Sequence, residues 1–84
     1  MADSTPRLTV LSRSYCHLCD EMIAQLRSLQ GEGGFAFEVR DVDDDPALES
    51  RFGERVPVLL AGTEELCHYR LDASALNAWL GKFR

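Results

Sequence analysis

Within its first forty residues the hydrophobic period of this sequence changes from strand-like to helical and back, and that order constrains the fold most. Leu8-Thr9-Val10-Leu11 is a short apolar run that reads as a buried strand, ended by Ser12, Arg13 and Ser14. From residue 17 to about residue 30 the period is helical. Leu18, Met22, Leu26 and Leu29 fall on one face, and Ile23 widens the stripe. Gly31, Gly33 and Gly34 predict the helix end. Residues 35–40 then alternate, with Phe35, Phe37 and Val39 on one side, which predicts a second strand. A helix joining two strands predicts a right-handed parallel βαβ unit.

The rest of the chain extends this pattern. Asp45 is placed to cap a second helix over residues 47–52, with Pro46 at its first turn and Gly53 closing it. Residues 56–60 read as a third strand. A turn at residues 61–63 returns the chain as an antiparallel fourth strand over residues 65–70. Asp72 is a good N-cap for a last helix with a buried stripe of Leu76, Trp79, Leu80 and Phe83. The expected order is βαβαββα: one α/β domain over residues 1–84, with residues 1–6 a disordered start.

Nine Lys and Arg against fourteen Asp and Glu leave a net charge of −5. That argues against nucleic acid or an anionic membrane surface as partner, since both require a basic face. No apolar run reaches the roughly 20 residues of a membrane span, and the start has no apolar core of a secretory signal. A cytoplasmic setting is expected. Paired cysteines in a reducing compartment are more often catalytic or metal-binding than structural.

The chemistry concentrates in Cys16-His17-Leu18-Cys19. Cys16 falls in the loop after the first strand and Cys19 in the first turn of the first helix. Unpaired N–H groups and the positive end of the helix dipole both favour a thiolate there. A cysteine so placed can titrate anywhere from about 3.5 to 7.5, against about 8.5 for a free thiol. Cys16, the outer member, is the expected nucleophile, and Cys19 the resolving thiol. His17 is a candidate for tuning the thiolate; Asp20 and Glu21 disfavour it, and Arg13 offsets them. Val56-Pro57 opens the third strand, where proline is confined to starts and edges. The residues leave its peptide isomer open; a cis bond would leave the Val56 main chain available to an extended substrate.

"YCHLC" after a short first strand, "DVDDDPAL…FGERVPVLL" further on, and a last helix bearing Trp79 resemble the small bacterial glutaredoxin-like proteins of the thioredoxin-fold superfamily. The resemblance spans residues 8–83. It implies a thioredoxin-like mixed four-stranded sheet with helices on both faces, and dithiol–disulfide exchange as the activity. It matches Cys16 to the nucleophile and Cys19 to the resolving cysteine. Tyr15 matches the aromatic residue before the nucleophile, Pro57 a cis-proline facing the dithiol, and Val56 the residue pairing with glutathione or a peptide. Arg13 stands near the position of a family lysine and is a further candidate for substrate binding. No tightly bound cofactor is implied. Glutathione is a candidate co-substrate, a disulfide-containing protein or glutathione adduct the candidate substrate, and glutathione or a thioredoxin-reductase-type partner the reductant. The chain departs from the family's usual "CPYC", and "YRLDASAL" stands where a Gly-Gly segment is usual, leaving Arg70 and Asp72 as partial substitutes.

The residues also admit two other readings. Cys16, Cys19 and Cys67 with His17 or His68 supply enough soft ligands for zinc or Cu(I), without the paired spacing of a zinc ribbon or finger. A redox-inactive interaction module on the same scaffold is the other. Cys67 reads most simply as a small buried hydrophobe, with His68 on the opposite face of its strand.

Overall fold

The computed structural model describes residues 5–83. The disordered start expected for residues 1–6 falls mostly on residues 1–4, outside the described residues. The elements are β1 (Arg7–Ser12), α1 (His17–Gly33), β2 (Ala36–Asp41), a 3-10 turn (Val42–Asp44), α2 (Pro46–Phe52), β3 (Val58–Ala61), β4 (Glu64–His68) and α3 (Ala73–Leu80), followed by a 3-10 turn (Gly81–Phe83). The order is the expected βαβαββα. The sheet runs β2-β1-β3-β4, with β1 parallel to β2 and antiparallel to β3, and β3 antiparallel to β4.

Alternation along β1 builds two cores. Leu8 and Val10 pack on one face with Met22 and Leu26 of α1, Leu59 of β3, and Leu76 and Leu80 of α3. Leu11 points to the other face, against Val42, Phe52 of α2, and Val58. Helices therefore cover both faces. Burying each of these large apolar side chains contributes roughly 1.5–3 kcal/mol.

Side-chain caps position the shorter helices. Asp45 Oδ1 accepts from the Ala47 N–H at 3.0 Å, and Asp72 Oδ1 from the Ala75 N–H at 3.1 Å. Pro46 is the first residue of α2, where a missing N–H costs nothing.

Several expected boundaries shift. Gly31 does not stop α1, which runs to Gly33. Gly34 ends it by taking the left-handed conformation at φ 67°, its N–H donating to the Gln30 carbonyl at 3.1 Å. A glycine inside a helix weakens it without breaking it; the left-handed turn is what terminates. The buried stripe of α1 is Cys19, Met22 and Leu26, with Leu18 and Ile23 half-buried and Leu29 exposed. Phe83, expected in a buried stripe, is also exposed, lying past α3 with its ring against Trp79, and Val39 is exposed on the edge strand β2. β3 starts at Val58, and β4 ends at His68 because Tyr69 turns left-handed at φ 65°.

Gly53 follows α2 in right-handed conformation, so its role is space and not conformational freedom. A Cβ there would lie 2.6 Å from the Glu49 carbonyl oxygen and 3.1 Å from an Arg13 nitrogen. Gly53→Ala is expected to destabilise the fold by about 1–3 kcal/mol through overpacking. Chemical denaturation of both proteins measures it, with a shifted midpoint and an unchanged slope.

Candidate active site

Strand pairing brings three chain ends to one end of the sheet. Leu11 pairs with Val58, and Val58 with His68, so the end of β1, the start of β3 and the end of β4 lie side by side. The short loop after β1 then delivers Cys16 to the N-terminus of α1. Cys16 is the N-cap, in extended conformation. Its Sγ accepts from the Cys19 N–H at 3.1 Å, and its carbonyl from the Asp20 N–H at 3.1 Å. Cys16 and Cys19 are disulfide-bonded, with Cα atoms 5.2 Å apart. Cys16 is half-buried, whereas Cys19 is 1% exposed and packed beneath it. This asymmetry admits an incoming group to Cys16 and not to Cys19. An N–H aimed at the sulfur and the helix dipole behind it both favour negative charge on Cys16 when the pair is reduced.

Tyr15 precedes the pair in left-handed conformation at φ 60°, with its side chain fully exposed. His17 is the first residue of α1 and also exposed. The Val56–Pro57 peptide is cis. Pro57 is buried, and its carbonyl accepts from the Tyr69 N–H at 2.8 Å. The Val56 main chain has no hydrogen-bond partner among the described residues.

Arg13 is bound away from any free role. Its guanidinium donates to Asp43 at 2.9 Å, to Glu49 at 2.9 Å and to the Gly53 carbonyl at 3.2 Å. Hydrogen bonds first to Asp43 and then to Glu49 hold its proton more firmly than usual. Arg13 therefore ties the end of β1 to the 3-10 turn and α2, and its charge is matched there.

One neighbour was not singled out in the sequence. Tyr69 and Leu71, with Arg70 between them, face Leu18 and Met22 of α1 across a groove of about 160 Å³ that also meets Glu21 and Gln25. The Tyr69 hydroxyl donates to the Glu54 carbonyl at 3.2 Å, and its ring meets His68 edge-on. A tyrosine in left-handed conformation carries no sequence signature, since that position ordinarily takes glycine or asparagine.

The ligands of the alternative metal site are not assembled. Cys67 lies on β4 opposite Leu59, half-buried against the α1–α3 core, and Nδ1 of His68 contacts Glu65 at 2.7 Å. Among the described residues no group of three or more His, Cys, Asp or Glu side chains is arranged to hold a metal ion. No helix among them is long and apolar enough to cross a membrane.

The profile of the Glutaredoxin-like domain (DUF836) matches residues 7–81. The chain belongs to this glutaredoxin-like family. It is 34% identical over 80 residues to an uncharacterised protein of Mycobacterium tuberculosis, covering 89% of this chain and 82% of that relative. The solution structure of a Nitrosomonas europaea protein is 42% identical, with a TM-score of 0.82 over 94% of this chain and 95% of its own. An X. campestris crystal structure is also 42% identical, with a TM-score of 0.67 over 89% and 96%. Thioredoxin 1 of Thermosipho africanus shares 15% identity at a TM-score of 0.61 over 90% and 96%, which shows the thioredoxin fold.

Burial raises the Cys67 thiol above its ordinary range, and the charges of Asp72 and Glu65 add to this; a 3.5 Å hydrogen bond from the Asp72 N–H opposes it. A raised thiol pKa keeps the unreactive protonated form to higher pH. With the Cys16–Cys19 pair oxidised, iodoacetamide is expected to modify Cys67 more slowly at neutral pH than it modifies a free cysteine peptide. The rate should climb at higher pH than the peptide's, as mass spectrometry across a pH series will report.

Proposed function

We propose that the protein is a small thiol–disulfide oxidoreductase of the reducing cytosol, using Cys16 as nucleophile and Cys19 as resolving thiol. The supporting observation is the pair itself: an accessible N-cap sulfur receiving an N–H, joined to a buried sulfur one helical turn inward. The Cys16 thiolate attacks one sulfur of a substrate disulfide. That S–S bond breaks, the departing thiolate takes a proton from water, and a mixed disulfide remains on Cys16. Cys19 then loses its proton and attacks Cys16 Sγ. The second substrate sulfur leaves as a thiol, and Cys16–Cys19 is oxidised. Two electrons have passed to the substrate. Two glutathione thiols, or a dithiol partner, restore the reduced pair and become a disulfide themselves.

In this reading the cis Val56–Pro57 segment offers the free Val56 main chain to the substrate backbone. Tyr15 and the groove walled by Leu18 and Tyr69 contact its side chains. Glutathione adducts and protein disulfides are the candidate substrates.

Cys16→Ser is expected to abolish reduction of a model disulfide. Cys19→Ser should instead accumulate a mixed disulfide on Cys16, visible by mass spectrometry as a stable adduct. Full activity in Cys16→Ser would sink the proposal. A second test separates contact from scaffold at Tyr15. Tyr15→Gly relieves a left-handed residue whose side chain packs on nothing, so thermal stability should hold or rise. Turnover per unit substrate should fall several-fold; an unchanged kcat/KM would remove Tyr15 from the substrate surface.

A further inference from the structure

The outer edge of β2 carries a charge pattern and a hydrogen-bond phase that match themselves. Among the described residues β2 has β1 as its one neighbour in the sheet. The Ala36 N–H donates to the Pro6 carbonyl at 2.8 Å, so Ala36 faces β1. In a parallel pair the N–H and C=O of one residue point the same way, and successive residues alternate. Glu38 and Arg40 therefore also face β1 with their main chains, while Phe37, Val39 and Asp41 direct their N–H and C=O groups outward. No proline or bulge interrupts β2. The Glu38, Val39 and Arg40 side chains are exposed. Among the described residues neither Glu38 nor Arg40 forms an ion pair; Glu38 receives the Thr9 hydroxyl at 3.4 Å.

We propose that β2 pairs antiparallel with β2 of a second copy, about a two-fold axis through Val39. In this register Val39 faces Val39 as a hydrogen-bonded pair, using the outward N–H and C=O of each copy. Phe37 and Asp41 form the next hydrogen-bonded pairs. Between them Glu38 lies directly opposite Arg40 of the other copy, twice over. Edge charges ordinarily keep strands apart; here the antiparallel arrangement sets opposite signs against each other. Shifting the register by two residues keeps the hydrogen-bond phase and loses both charge pairs. Val39, exposed on this edge, lies at the centre of the contact. The two-fold makes the contact self-complementary and closed, giving a dimer and not a fibre. A contact of six residues a side is small, so the dimer is weak and concentration-dependent.

Sedimentation velocity of the full chain at low salt tests this. The sedimentation coefficient should rise from the monomer value toward the dimer value as concentration increases. Val39→Pro removes an outward N–H that takes no part in pairing with β1, so the monomer should keep its fold by circular dichroism and stay monomeric. Glu38→Arg and Arg40→Glu should each be monomeric alone, and an equimolar mixture of the two should recover the dimer. A wild-type chain that stays monomeric at all concentrations overturns the proposal. So does a dimer that survives both Val39→Pro and Glu38→Arg, since its contact then lies on another surface, or a variant mixture that fails to associate.

Discussion

β1 is a central strand buried on both sides, and the remaining elements are arranged by that burial. Leu8 and Val10 need one helical layer and Leu11 needs another. The chain supplies α1 and α3 to the first and α2 to the second. Because β1 is enclosed, its C-terminal end emerges at the rim of both layers, and the next helix has to start there. A helix start leaves N–H groups without partners. Cys16 satisfies one of them with sulfur where serine, threonine or aspartate would be usual. The cap that completes the helix is thus the atom to which the proposed chemistry is assigned, and the demand for a hydrogen-bond acceptor holds it in place.

Arg13 secures the approach to that cap. The chain must leave β1, turn at Tyr15 and enter α1 within a few residues, and such a turn wanders unless tied down. Arg13 does this by reaching Asp43, Glu49 and the Gly53 carbonyl, groups thirty to forty positions away in sequence. Its ion pairs are partly exposed and contribute little energy by themselves. Their value is geometric: a fork of donors fixes the loop to the 3-10 turn and to α2 at once. Gly53 leaves room for that fork, which links the identity of a residue after α2 to the position of the dithiol.

What was legible in the sequence depended on local physics. Asp45-Pro46 and Asp72 announced their helices because capping is decided within four residues. The strand-to-helix placement of Cys16 and Cys19 followed from a change of period. Features set by distant neighbours were hidden. Leu29 and Val39 fit their stripes but are only partly covered, Leu29 lying at the rim beside Leu76 and Leu80 and Val39 on a strand with no outer neighbour among the described residues. Gly31 looked like a stop, yet the left-handed turn falls at Gly34. Arg13 stood as a candidate for substrate binding because its partners lie in a later segment. Tyr69 was invisible because its left-handed backbone is held by the Pro57 carbonyl, the Glu54 carbonyl and the His68 ring, none of which is a local signal.

The capture of Arg13 also changes the electrostatics expected of the dithiol. On sequence alone Arg13 stood as a cation balancing Asp20 and Glu21 beside Cys16. Its charge is matched by Asp43 and Glu49, while Asp20 and Glu21 remain exposed on the first turns of α1. Side-chain charge near the pair is then acidic unless His17 is protonated, and it opposes a thiolate. What favours the thiolate is the backbone: the Cys19 N–H on Cys16 Sγ and the aligned peptide dipoles behind it. Exposed acids are screened by salt, whereas a hydrogen bond at 3.1 Å is not. In the proposed cycle, stabilisation of a Cys16 thiolate therefore rests on α1 being intact at its first turn more than on any charged neighbour.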